Sequence, residues 1–213
     1  MATLDNIVVD GSSTALVVID IVNDIFAESG VYHHQKEWDR KPMLTMLESS
    51  LLPFIQRSKG KIPIVFVNSE YTPDEFKDDP YPIENFCIKG TPGTEFFRLD
   101  RTDADIVFTK NHWSVFFLYD PEKKAYDYSK LTELEARLQE KGIRNLIVTG
   151  VTGTHCIPIN IEHALRLRYD VIVPRDCVAS RGERTEHHIE NIRGYEKHPE
   201  VKVVDSTKIQ YQT

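Results

Sequence analysis

Apolar positions along the chain follow two alternating patterns, short β-branched runs and longer stretches with helical spacing. Ala15–Asp20, Ile62–Asn68, Asp105–Lys110, Asn145–Thr149, Asp170–Pro174 and Val201–Val204 are runs of the first kind. They are short and nearly continuous in apolar residues, as expected of strands buried on both faces of a parallel sheet. Met43–Lys59 and Ser129–Lys141 are of the second kind, the latter with Leu131, Leu134 and Leu138 aligned at helical spacing. A further helical pattern starts at Cys156, where Ile157, Ile161, Ala164 and Leu165 recur on one face. Alternation of strands and helices implies right-handed crossovers and a sheet covered on both sides. The expected architecture is therefore an α/β fold of three layers, a six-stranded, mostly parallel sheet with helices on both faces. No internal repeat, low-complexity tract or Gly/Ser linker interrupts the 213 residues, so 1–213 reads as a single domain.

In sheets of this kind, sites gather at the carboxyl ends of the strands. Asp20, Lys110 and Cys156 stand at or just beyond three such ends. Cys156 closes the run VTGVTGTHC, in which Gly150 and Gly153 permit backbone angles that other residues resist. The helix that follows offers the thiol unpaired N–H groups and a positive dipole end. A thiol with an ordinary pKa of about 8.5 is mostly protonated near neutrality, so a lowered value is expected here, aided by the charge of Lys110. Asp20, after the apolar run ALVVI, is placed to act as general base towards that thiol. A partly buried Lys110 needs a carboxylate partner to offset its desolvation, and Asp20 meets that need. Taken singly, each residue has a plainer reading: a packed core cysteine, an aspartate capping a helix, a lysine reaching into water. Their convergence favours chemistry.

Composition narrows the remaining classes. The net charge is −7, with no cluster of Lys and Arg to suit nucleic acid or an anionic membrane surface. Residues 1–14 lack the pattern of a signal peptide and no segment approaches a membrane span, which leads us to expect a cytoplasmic protein. Cys87, Cys156 and Cys177 are an odd number at irregular spacing, suited neither to a disulfide framework nor to a zinc site. Cys87 and Cys177 read as packing residues. The adjacent pairs His33-His34 and His187-His188 read as solvated or locally bonded, so no metal is expected. His155, beside the thiol, is expected to point away from it. KGTPGT lacks the Lys-Ser/Thr of a phosphate loop, which leaves Gly90 and Gly93 as an ordered turn bordering the site.

These residues resemble the isochorismatase-like cysteine hydrolases, a group that includes nicotinamidases and N-carbamoylsarcosine amidohydrolase. The resemblance rests on ALVVIDIVND around Asp20, KGTPGTEFF at 89–97, DIVFTKNHWSVFF around Lys110, LIVTGVTGTHCI around Cys156 and the late VVDST. It implies a Rossmann-like fold and an Asp20, Lys110, Cys156 catalytic triad. It also implies a cis peptide between Val151 and Thr152, which would turn the Thr152 amide beside that of Cys156 as an oxyanion hole. The implied activity is hydrolysis of a C–N bond in a small amide or ureido compound through a thioester, with no cofactor. Homo-oligomers are common in the family and expected here. Two departures matter. Members often carry Gln two residues after the aspartate, where this chain has Val22, and nicotinamidases carry an Asp-x-His metal motif where this chain has Asn68-Ser69-Glu70. Phe26, Trp113, Phe116 and Phe117 are candidate pocket walls, with loops 24–40 and 69–104 shaping the entrance. The alternatives are vinyl-ether hydrolysis, for which the cysteine is not needed, and a non-catalytic member that binds a small molecule or a partner.

Overall fold

The computed structural model describes residues 6–35, 38–73 and 86–212. Its main sheet contains β1 (Thr14–Ile19), β2 (Ile64–Ser69), β3 (Ile106–Lys110), β4 (Asn145–Val151), β5 (Asp170–Pro174), β6 (Val178–Ala179) and β7 (Val201–Val204). The order across it is β7-β5-β4-β1-β2-β3, with β6 paired to the far end of β4. All its pairings are parallel. The six expected strands are present within two residues of their expected bounds, and β6 adds a seventh. Two residues are too few to show any periodicity, which is why β6 escapes a reading of the sequence.

From β1 the chain steps outward through β2 to β3, then returns to β4 on the other side of β1. This reversal makes a switch point between β1 and β4, the place where open α/β sheets leave a crevice. Residues of β1 are all buried, and they alternate between two cores: Leu16 and Val18 in one, Ala15, Val17 and Ile19 in the other. One core is closed by α1, made of the consecutive segments Lys41–Met46, Leu47–Leu51 and Leu52–Ser58, which buries Met43, Leu47, Leu51 and Phe54. Its middle segment is a π turn just before Pro53, a residue with no N–H to give to the ordinary helical ladder. The other core is closed by α2 (Glu133–Glu140), α3 (Cys156–Arg166) and α4 (Thr185–Tyr195), through Leu134, Leu138, Ile157, Ile161, Ala164 and Ile192.

One expected helix starts later than its pattern suggests. Ser129–Leu131 belongs to the strand Ala125–Leu131, which forms an antiparallel hairpin with Phe117–Asp120. Leu131 is thus 44% exposed on the hairpin instead of sharing the buried face of Leu134 and Leu138. The alternating tyrosines of AYDYSKL favour a strand, and Thr132 ends it by donating its hydroxyl to the Val115 carbonyl at 2.6 Å. Among the described residues, no helix is long and apolar enough to cross a membrane.

Candidate active site

Asp20 follows β1 directly and takes a left-handed backbone conformation (φ 58°), which aspartate tolerates better than most side chains. Its N–H donates to the Val67 carbonyl of β2 at 2.9 Å, which fixes where the side chain leaves the sheet. Lys110 is the last residue of β3. Only 2% of Lys110 and 4% of Asp20 is exposed, and their side chains meet with Nζ 2.9 Å from Oδ2. Either charge alone would be very costly at that depth; the pair offsets it. The ammonium also donates to Ser69 Oγ at 2.6 Å and approaches Cys156 Sγ at 3.6 Å, so its three protons have three acceptors. Burial pulls Lys110 towards its neutral form. Asp20, with Cys156 and Tyr71, outweighs that and holds its pKa well above the ordinary value.

Cys156 opens α3 and is nearly buried. Burial pushes its pKa up to about 12; Lys110 and the Thr152 N–H oppose this, while the carboxylate and hydrogen bond of Asp20 reinforce it. The expectation of a lowered thiol pKa is therefore corrected. Desolvation and a neighbouring anion prevail over a cation and a helix end. A raised pKa favours the thiol over the thiolate near neutrality, next to the Asp20 carboxylate.

The turn between β4 and α3 is held from several sides. Gly150 has φ 107°, and a Cβ there would lie 2.1 Å from the Ile19 carbonyl oxygen, so only glycine lets β4 run this close to β1. The Val151–Thr152 peptide is cis, and the Thr152 N–H is directed at the sulfur. The Thr152 carbonyl accepts from the N–H groups of His155 and Ile157, both at 3.2 Å. Gly153 donates to the Ala179 carbonyl at 2.9 Å and accepts from Asn191 Nδ2 at 2.9 Å. Asn160, one turn into α3, donates to the carbonyls of Cys156 (2.7 Å) and Trp113 (2.9 Å) and accepts from the Val115 N–H (2.8 Å). It thereby ties the thiol's helix to the segment that follows Lys110.

The aromatic residues divide. The Trp113 ring lies 5.9 Å from that of His155, the neighbour of the thiol; His155 itself is exposed, with Nδ1 3.0 Å from Thr154 Oγ1. Phe26 is buried and stacks on Phe97. Phe116 and Phe117 are core residues, packed on Tyr169 and on Tyr128 and His163 respectively, and buried packing accounts for both. Asp24 anchors the turn around Gly93: a Cβ on that glycine would fall 2.2 Å from Asp24 Oδ2, and the same oxygen accepts the Cys87 N–H at 2.6 Å. Cys87 and Cys177 are buried free thiols. A cleft of about 710 Å³ opens along β3, with Lys110, Tyr71, Ser114, Lys89 and Glu70 in its lining. Part of the entrance loop expected over 69–104, residues 74–85, lies outside the described residues.

Ser69, Tyr71, Asn160 and Asp24 were not singled out for these contacts by their sequence. Ser69 alone carries a usable signal, because it too ends a strand at the carboxyl edge of the sheet. Asn68 and Glu70 also stand at the two ligand positions of the Asp-x-His motif against which this run was set. Asn68 is committed elsewhere, donating to the Thr94 carbonyl (3.1 Å) and accepting from Thr109 Oγ1 (2.8 Å). Among the described residues, no group of three His, Cys, Asp or Glu is arranged to hold a metal.

The fold and site define an α/β protein with a parallel sheet in which Asp20, Lys110 and Cys156 meet, buried, beyond the carboxyl ends of β1, β3 and β4. The chain belongs to the isochorismatase family, whose domain model matches residues 14–207. It is 24% identical over 174 residues to an uncharacterized isochorismatase family protein, YaaI, of Bacillus subtilis (strain 168), spanning 79% of this chain and 82% of that one. Its fold is similar to that of PnC1 from L. infantum, solved in complex with nicotinate (TM-score 0.74, 17% identity, 97% of this chain and 100% of that one). It is also similar to N-carbamoylsarcosine amidase from Thermoplasma acidophilum (TM-score 0.62, 23% identity, 91% and 96%).

Proposed function

We propose that this protein hydrolyses a C–N bond in a small amide or ureido compound, with Cys156 as nucleophile, Asp20 as general base and acid, and Lys110 holding the charge balance. The observation that carries the reading is the buried three-way contact of Asp20, Lys110 and Cys156, with the Thr152 N–H at the sulfur. Asp20 takes the thiol proton as Sγ attacks the substrate carbonyl. The N–H groups of Thr152 and Cys156 receive the developing oxyanion, one such donor being typically worth about 10²–10³ in rate. The C–N bond then breaks, the nitrogen leaves with the proton held by Asp20, and a thioester remains. Asp20 next takes a proton from water, whose oxygen attacks the thioester; the sulfur leaves and recovers that proton. The products are a carboxylate or carbamate and ammonia or an amine. Lys110 stays cationic throughout, which keeps the buried carboxylate charged between steps. That one structural neighbour is named an amidase accords with C–N chemistry.

The test is ammonia release from small primary amides, ureido acids, biuret and nicotinamide, with the wild type and Cys156→Ala run in parallel. Turnover of at least one compound is expected, falling by about 10³-fold or more in the variant. Equal ammonia release by both proteins would overturn the thiol mechanism.

A further inference from the structure

Ser69 ends β2, the strand between those that deliver Asp20 and Lys110, and only 1% of it is exposed. Its hydroxyl has one proton to give and two lone pairs. Lys110 Nζ, 2.6 Å away, can only donate, and the Asp20 carboxylate, with Oδ1 2.8 Å away, can only accept. The Ser69 proton is therefore committed to Asp20. The remaining lone pair accepts from Tyr71 Oη at 3.1 Å. Chemistry fixes the direction of every bond, and the hydroxyl is saturated.

Asp20 needs more than one tether. A carboxylate held only by Lys110 at Oδ2 can rotate about its Cβ–Cγ bond, which is soft for an sp² terminus. A second hydrogen bond at Oδ1 fixes the plane. The lone pairs left over are then the ones that can meet the thiol proton. We infer that Ser69 is a positioning residue for the thiol chemistry, its hydroxyl locking the Asp20 carboxylate and the Lys110 ammonium in the orientation that presents a free carboxylate lone pair to Cys156. Tyr71 secures Ser69 in turn. Its ring lies 6.0 Å from Lys110 Nζ and it also lines the cleft along β3, so the lock reaches from the thiol to the cleft wall.

The inference rests on the Asp20 and Cys156 roles proposed above, and its test needs no substrate. The rate at which iodoacetamide alkylates Cys156 between pH 6 and 8 is followed by mass spectrometry of the Cys156 peptide. The proteins compared are the wild type, Ser69→Ala, Ser69→Thr, Asp20→Asn, Tyr71→Phe and the double variant Ser69→Ala/Asp20→Asn. Ser69→Ala should slow alkylation about tenfold, in line with the loss of one hydrogen bond to a charged group. Ser69→Thr should restore the rate to within about threefold of wild type, because it retains the hydroxyl. The double variant should react no more slowly than Asp20→Asn, since a lock has no effect once its carboxylate is gone. Should Ser69→Ala fail to fold, Tyr71→Phe carries the test through the same non-additivity, with Asp20→Asn as its partner and a loss of about two- to fivefold expected.

Wild-type reactivity in Ser69→Ala, or losses from Ser69 and Asp20 that multiply independently, would overturn the inference. Coupled losses in a protein that releases no ammonia from any amide would uphold the lock and sink the hydrolase reading, so the two failures are distinguishable.

Discussion

At the residue scale the decisive competition is over the Cys156 proton. A helix end and a cation favour thiolate, whereas burial and the adjacent carboxylate favour thiol, and the second pair prevails, with the pKa pushed up to about 12. A thiol of that pKa should show no thiolate absorbance near 240 nm below pH 8, measured as the difference between wild type and Cys156→Ser; a signal at pH 7 would contradict it. Lys110→Met should suppress Cys156 reactivity more than Ser69→Ala does, by about 10² or more. It removes the cation that pairs with Asp20 and leaves a buried carboxylate uncompensated beside the thiol. Measuring the alkylation rate of Lys110→Met against pH checks this.

At the scale of elements, the site depends on how closely strands and helices approach. Gly150→Ala should destabilise the fold by about 3 kcal/mol or more, because its Cβ would meet the Ile19 carbonyl at 2.1 Å and its φ of 107° suits only glycine. A denaturant midpoint close to wild type would contradict that close packing. Asn160→Leu keeps the number of side-chain heavy atoms and raises helix propensity but cannot bond Trp113, Val115 or Cys156, leaving buried polar groups without that partner. A loss of about 2–4 kcal/mol in denaturant unfolding is expected, with slower Cys156 alkylation. The six main strands were legible in the sequence because strands buried on both faces leave unbroken apolar runs. The hairpin at 117–131 and the π turn in α1 were not. Leu131 fits a helical stripe with Leu134 and Leu138 as well as it fits a strand end, and the pairing with Phe117–Asp120 that settles the matter is tertiary.

Across the whole molecule, buried histidines couple stability to pH. His112 and His163 join the segment after β3 to the hairpin and to α3, His112 through Tyr126 Oη at 2.6 Å and His163 through Ser114 Oγ at 2.7 Å. Burial, with Lys110 near His112 and Arg166 near His163, lowers each pKa from 6.5 to about 4. Between those values the unfolded chain binds protons that the folded protein refuses. Their contribution to stability is thus complete above about pH 6.5 and is lost as pH falls towards 4. The melting temperature should drop by roughly 5 °C or more across that window, and His163→Gln should flatten the slope. A pH-independent melting temperature over the same range would refute the assignment.

The sequence by itself determined the alternation of strands and helices, the class of the sheet, and the three strand-end residues that the fold gathers. Those features follow from apolar periodicity and from the rule that parallel strands present their carboxyl ends together. Tertiary structure alone decided the direction of the Cys156 pKa shift, the saturation of Ser69, the ties made by Asn160 and Asp24, and the burial of Phe26, Phe116 and Phe117 in the two cores. Each of these depends on which atoms lie within about 3–4 Å and on how much water they exclude, and residues far apart in the chain supply those atoms. Periodicity records which face of an element is buried, but not what it is buried against.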